Sequence, residues 1–270
     1  MKNLLTATEV DSWSRMNPRR AQEVLPELIV NLILCTSSKI NDYNFPIEKG
    51  YISEPKISPF NYDEHALIYY TENMPHPSKE RNKFIAQGVE EIKQILEISK
   101  GKALILFTAK SDMQEVYEKL KEAVLYKVLM QNAGSSQTDI LKEFKRDVNS
   151  VLLGTGAYWE GISVEGTALS NLIIFRLPFP VPEPIIDYKI KVADNGLMEV
   201  LVPEMIIKLK QGIGRLIRSD KDFGIVSIID SRVGENSNAL YKSVIWESLP
   251  IKNRTSDINE VAEFYKKLAE

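Results

Sequence analysis

A single cysteine, Cys35, and two histidines, His65 and His76, serve a chain of 270 residues. One thiol forbids an internal disulfide, and the ligand count excludes a cysteine-held zinc or iron–sulfur site. Two histidines leave little for a histidine-rich metal centre or a serine–histidine–aspartate triad. Cys35 follows the apolar run Leu28–Leu34, where a small buried hydrophobe is its ordinary role. No apolar run approaches the roughly 18 residues that span a bilayer, and the start Met1–Thr6 lacks the apolar core of a secretory signal. The expected compartment is cytoplasmic, with no membrane partner. A dominant charge is missing too: 34 basic against 37 acidic residues give a net charge of −3. Any contact with nucleic acid must therefore come from a local patch. Finally, no Gly-Lys-Ser/Thr phosphate loop occurs, so the chain alone has no evident way to hold a triphosphate and its magnesium.

What is present is a rhythm. Short apolar runs at Leu28–Leu34, Ala66–Tyr70, Ala103–Phe107, Tyr126–Met130, Val151–Leu153, Leu172–Phe175 and Ile225–Ile229 alternate with longer periodic stretches. That pattern predicts an α/β fold with a mostly parallel sheet flanked by helices. Helices are expected over Pro77–Ser99, Ser111–Glu122 and Gln137–Asp147. Two proline-rich stretches interrupt: Pro55–Tyr62, read as a connection, and Leu177–Pro184 (LPFPVPEP), read as a rigid extended loop. The natural division is 1–57 and 58–270.

In open α/β sheets ligands gather beyond the carboxyl ends of the strands. Three segments fall there: Thr108-Ala109-Lys110, the turn Gly154-Thr155-Gly156 running to Glu160, and Asp230-Ser231-Arg232. The glycine pair lets backbone approach a ligand and present its amides, although a plain tight turn would read the same way. Asp63-Glu64-His65 resembles a magnesium-holding acidic box, but no apolar strand precedes it, so it is set aside.

The sharpest local signal is Pro203–Arg218 (PEMIIKLKQGIGRLIR). Pro203 and Glu204 suit a helix start. At helical spacing Ile206, Leu209, Ile213, Leu216 and Ile217 share one face, and Gln211, Arg215 and Arg218 share the other, with Lys208 beside them. Gly212 and Gly214 each cost roughly 1 kcal/mol in a helix interior, which a close approach by another element or a ligand would explain. Arginine suits the charge of a transferring phosphoryl group. An anion-facing helix and an ordinary amphipathic one remain evenly matched on these grounds.

Taken together, these segments resemble the second helicase domain of the DinG branch of superfamily 2, the group that includes XPD. Gly154–Gly166 (GTGAYWEGISVEG) resembles motif V, Gln211–Arg218 (QGIGRLIR) motif VI, and Leu104–Lys110 (LILFTAK) motif IV. Leu34–Ile40 (LCTSSKI) resembles motif III at the end of the first helicase domain, so residues 1–57 read as its remnant. The resemblance implies a RecA-like domain. It implies that Arg215 and Arg218 are fingers reaching the phosphates of ATP, with Gln211 at the same cleft. Gly154, Gly156, Glu160, Gly212 and Gly214 are implied at the nucleotide site, and Thr108, Thr155 and Trp159 along single-stranded DNA. Tyr158 and Trp159 could stack on a base or pack in the core. ATP and Mg2+ would be held mainly by the first helicase domain of the same parent, with no metal bound by this chain.

Two positions depart from the family pattern: Lys39 stands where motif III has threonine, and Ser163 where motif V has aspartate. They motivate an alternative, a degenerate module that binds single-stranded DNA and nucleotide to regulate an attached N-terminal exonuclease domain without unwinding.

Overall fold

In the computed structural model the chain divides into two compact units, Met1–Pro59 and Phe60–Glu270. The residues described are 62–130, 136–159, 169–217 and 222–269, all within the second unit. The expected strand Leu28–Leu34, Lys39, Glu160, Ser163 and Arg218 lie outside them.

Seven strands form one sheet: β1 (Ala66–Tyr70), β2 (Ala103–Phe107), β3 (Val128–Met130), β4 (Val151–Gly154), β5 (Asn171–Phe175), β6 (Gly224–Ile228) and β7 (Arg254–Thr255). Their order is β3-β4-β2-β5-β6-β1-β7, and every pairing is parallel. Six expected strands appear, with shifted ends at β3 to β6. The two-residue edge strand β7 carries no apolar run, and periodicity had no means of finding it.

Strands buried on both sides are continuously apolar, as parallel sheets require. Alternate residues feed two separate cores. Ala66, Ile68, Leu104, Leu106, Leu152, Ile174 and Ile228 face one side; Leu67, Tyr69, Ile105, Phe107, Leu153, Phe175 and Ile225 face the other. The second core is closed by helices α1 (Arg81–Ser99) and α2 (Lys110–Ala123). The first is closed by α3 (Gln137–Arg146) and α5 (Val202–Ile213). Between β5 and α5 the chain forms α4 (Pro184–Val192), so Pro184, the end of the proline loop, occupies the first turn of a helix as its fixed φ favours. Helices α6 (Lys242–Ser248) and α7 (Ile258–Ala269) complete the unit. Asp63-Glu64-His65 lies in the single turn Tyr62–His65 ahead of β1, not beyond a strand end.

The expected long helix over Pro203–Arg218 is shorter. Helix α5 stops at Ile213, and the amides of Arg215 and Leu216 turn to the carbonyls of Gly212 and Ile213 at 2.9 and 3.0 Å, the tighter i→i−3 pattern of a helix end. The apolar face survives this: Ile206, Leu209, Ile213, Leu216 and Ile217 are all buried.

Candidate functional site

Strand β2 lies between β4 and β5, and the chain crosses from β4 on one side to β5 on the other. Such a switch point opens a crevice beyond the strand ends. The register pairs Leu106 with Gly154 and Phe107 with Phe175. Thr108, Thr155 and Arg176 therefore leave adjacent strand ends at one edge of the sheet, Thr108 and Thr155 both half-buried.

Trp159 joins this edge to α5. Its side chain is fully buried, and its indole Nε1–H donates to the Phe107 carbonyl at 2.9 Å. Its carbonyl accepts from Arg215 Nε at 3.3 Å. Lys208 Nζ sits 5.4 Å from the ring centroid, a cation–π distance. The ring also packs against Gly212: a Cβ there would stand 3.1 Å from the indole and 3.4 Å from Leu106. One side chain thus touches the end of β2, the turn after β4, and the last turn of α5.

This packing bears on four of the expected site residues. Trp159 is not placed to stack on a base, because its ring is interior; Tyr158 is likewise buried. Gly212 accommodates the close approach of another element, as one of the two expected explanations had it: the Trp159 ring. A Cβ on Gly154 would collide with the Tyr158 ring, so packing alone already requires glycine there. Gly214 has an ordinary φ of −64°, and a Cβ would meet the Lys210 carbonyl at 3.4 Å, ordinary contact; it ends the helix and no close approach demands it. Gly156 differs. Its φ is +50° with open space around its Cβ position, so the backbone there is exposed and left-handed. Gln211 and Arg215 are half-buried on the last turn of α5 and just beyond it.

Two charged clusters lie at the same edge; the first, around Asp112, was not singled out from sequence, whereas the second contains the expected strand-end segment Asp230-Ser231-Arg232. Asp112, in the first turn of α2 and 2% exposed, accepts from Arg81 Nε at 2.9 Å and pairs with Arg176. Arg81 also reaches Glu115 at 2.9 Å. Arg176 adopts a left-handed φ of +81° and stacks its guanidinium 5.6 Å from the Phe84 ring centroid. Nothing in a helix-start aspartate signals such burial; an arginine directly before the LPF loop was the available hint. In the second cluster, fully buried Asp230 accepts from the Leu177 amide at 2.9 Å and from Arg232 Nε and Nη2 at 2.8 and 2.6 Å. Arg232 in turn lies 5.2 Å from the Phe179 ring centroid. The loop after β5 is thereby pinned to the end of β6. Among the described residues no group of three or more histidine, cysteine or acidic side chains is arranged to hold a metal, and no helix is long and apolar enough to cross a membrane.

The all-parallel sheet with helices on both faces, shared with the helicase structures below, is a RecA-like fold. The model of the family described as helicase C-terminal domain matches residues 92–250, more than half of the chain, and the chain belongs to that family. It is 36% identical over 214 residues to the ATP-dependent DNA helicase YoaA of Haemophilus influenzae, covering 77% of this chain and 32% of that protein. It is 30% identical to the ATP-dependent helicase DinG of Mycobacterium tuberculosis, covering 78% of this chain and 32% of that one. A protein of Bacillus subtilis named 3'-5' exonuclease DinG is 30% identical over 86% of this chain and 26% of its own length. The chain thus spans about a third or less of these relatives and corresponds to their helicase C-terminal part. Among solved structures, an XPD helicase shares the fold with a TM-score of 0.53 at 20% identity, over 71% of this chain and 35% of that one. S. cerevisiae Dbp5 bound to RNA and ADP BeF3 does so with a TM-score of 0.51 at 18% identity, over 77% and 46%.

Proposed function

We propose that this unit is the second motor domain of an ATP-dependent DNA helicase of the DinG type. Arg215 and Arg218 reach across an interdomain cleft to the phosphates of ATP, with Gln211 beside them. Thr108 and Thr155, at neighbouring strand ends, form part of the single-stranded DNA track, and the open backbone at Gly156 followed by Glu160 links track to cleft. The preceding helicase domain of the parent holds Mg-ATP, which supplies the phosphoryl group whose transfer drives the motor. This chain's residues orient and neutralise charge. A guanidinium of this kind contributes on the order of 10³–10⁵ in rate.

The observation that carries the reading is the dual use of Trp159. Its indole binds the carbonyl immediately before Thr108, and its own carbonyl binds Arg215. A displacement of the DNA-side turn is transmitted to the arginine through the backbone of one residue whose ring is anchored in the core. DNA-stimulated ATP hydrolysis by the full-length parent, with and without Arg215→Ala, tests it. Loss of hydrolysis with DNA binding retained is the expected result; unchanged hydrolysis refutes the finger role.

The exonuclease name of the Bacillus subtilis relative, with Lys39 and Ser163, favours a second reading. In it the parent binds single-stranded DNA and nucleotide to regulate an attached exonuclease and does not unwind. Strand displacement by the parent separates the two: unwinding supports the motor, and binding without unwinding supports the regulator.

A further inference from the structure

Helix α4 is almost uncovered. Of its nine residues only Ile186 is buried, although an isolated helix shorter than about 12 residues is marginal in water and draws its stability from packing. Its outer side is apolar: Ile185, Tyr188 and Val192 are 59%, 63% and 63% exposed and fall within an arc of about 60° at helical spacing. Val181, in the loop leading in, is 64% exposed. Of the two lysines flanking this stripe, Lys189 is ion-paired to Glu204 at 2.7 Å and Lys191 lies exposed beyond Tyr188; the stripe itself carries no charge, which suits an apolar protein surface.

We infer that this stripe docks on the part of the parent polypeptide that its relatives carry ahead of the helicase C-terminal region. The inference rests on the proposed two-domain motor and adds the surface used. Size argues for a tethered occupant over a second copy. The four side chains expose on the order of 400 Å², about half of what one side of a stable free-standing interface buries. A partner on the same chain is present at an effective concentration near millimolar and needs far less area. Relatives matched over only 32% of their length contain ample polypeptide to supply it.

The test is a photo-cross-linking amino acid at Tyr188 in the full-length parent, in the presence of a single-stranded oligonucleotide. The expected product is an internal cross-link to a peptide upstream of residue 1, reduced about tenfold by Ile185→Glu. Cross-linking to the oligonucleotide, to a second copy, or to nothing overturns the inference. Ile185 and Val192 lie on the exposed side, so Ile185→Glu leaves the melting temperature of the full-length parent close to that of the unsubstituted protein; a large drop would equally overturn it. Because the cross-link needs neither ATP nor turnover, its failure is distinguishable from failure of the motor reading.

Discussion

Arg215 is held by Trp159: the arginine Nε donates to the tryptophan carbonyl at 3.3 Å, while the tryptophan ring fills the space over Gly212. The arginine thereby has a fixed base, and the residue as a whole is half-buried. Replacing it by lysine keeps the charge but loses the Nε donor and the planar fork. In the proposed motor, Arg215→Lys should therefore leave hydrolysis by the parent close to the level of Arg215→Ala. Its melting temperature should stay near that of the native protein, since one partly exposed hydrogen bond is worth about 0.5–1.5 kcal/mol. Steady-state hydrolysis and a thermal melt on the same sample check this, and restored activity in the lysine variant would show that charge alone suffices.

Trp159 should behave as a core residue. Trp159→Ala is expected to destabilise the unit by about 3–5 kcal/mol. Trp159→Phe keeps most of the packing and removes the donor to the Phe107 carbonyl, for a cost of about 1–3 kcal/mol. Denaturant titration of both variants measures the difference. Single-stranded DNA should not quench the Trp159 emission by stacking.

The glycines give a prediction with opposite signs. Gly154→Ala collides with the Tyr158 ring and should destabilise. Gly156→Ala has room, but its φ of +50° should cost about 1–2 kcal/mol. Gly214→Ala, at φ −64°, should be neutral or stabilising by up to about 1 kcal/mol. A loss of stability at Gly214→Ala would show that this glycine meets a constraint beyond its own turn.

Asp112 carries two arginines from a buried position. Asp112→Ala leaves the Arg176 guanidinium without its carboxylate and should destabilise by about 3–5 kcal/mol. Restoring much of that loss with the second change Arg176→Leu, in a double-mutant cycle, would identify the uncompensated charge as the cause.

Alkaline pH should unfold the unit. Burial raises the phenol pKa of Tyr69, Tyr158, Tyr241 and Tyr265 above the usual 10.0. The folded state therefore favours the neutral phenol. The associated stability is complete below about pH 10 and is lost as pH rises above it, by up to about 1.4 kcal/mol per pH unit for each tyrosine. Melting temperature against pH, followed together with phenolate absorbance, should show ionisation and unfolding as one transition.

The sequence by itself determined the layers. Six apolar runs specified six strands because a strand buried on both faces has no polar alternative, and the apolar side of Ile206–Ile217 specified where α5 packs. The family pattern was equally legible, since motifs IV, V and VI are short and contiguous. Tertiary structure decided what those motif residues touch. Whether Trp159 faced a base or the core depended on a carbonyl 52 positions away at Phe107. Whether Gly212 admitted a ligand or an indole depended on that same ring. Periodicity ran the helix on to Arg218, but the chain's hydrogen bonds tightened after Ile213. Asp112 met Arg176 and Asp230 met Leu177 only through the order in which strands entered the sheet. Local preferences act over a few residues and can be read along the chain; burial of a charge or a ring depends on distant neighbours, and those exist only once the sheet has formed.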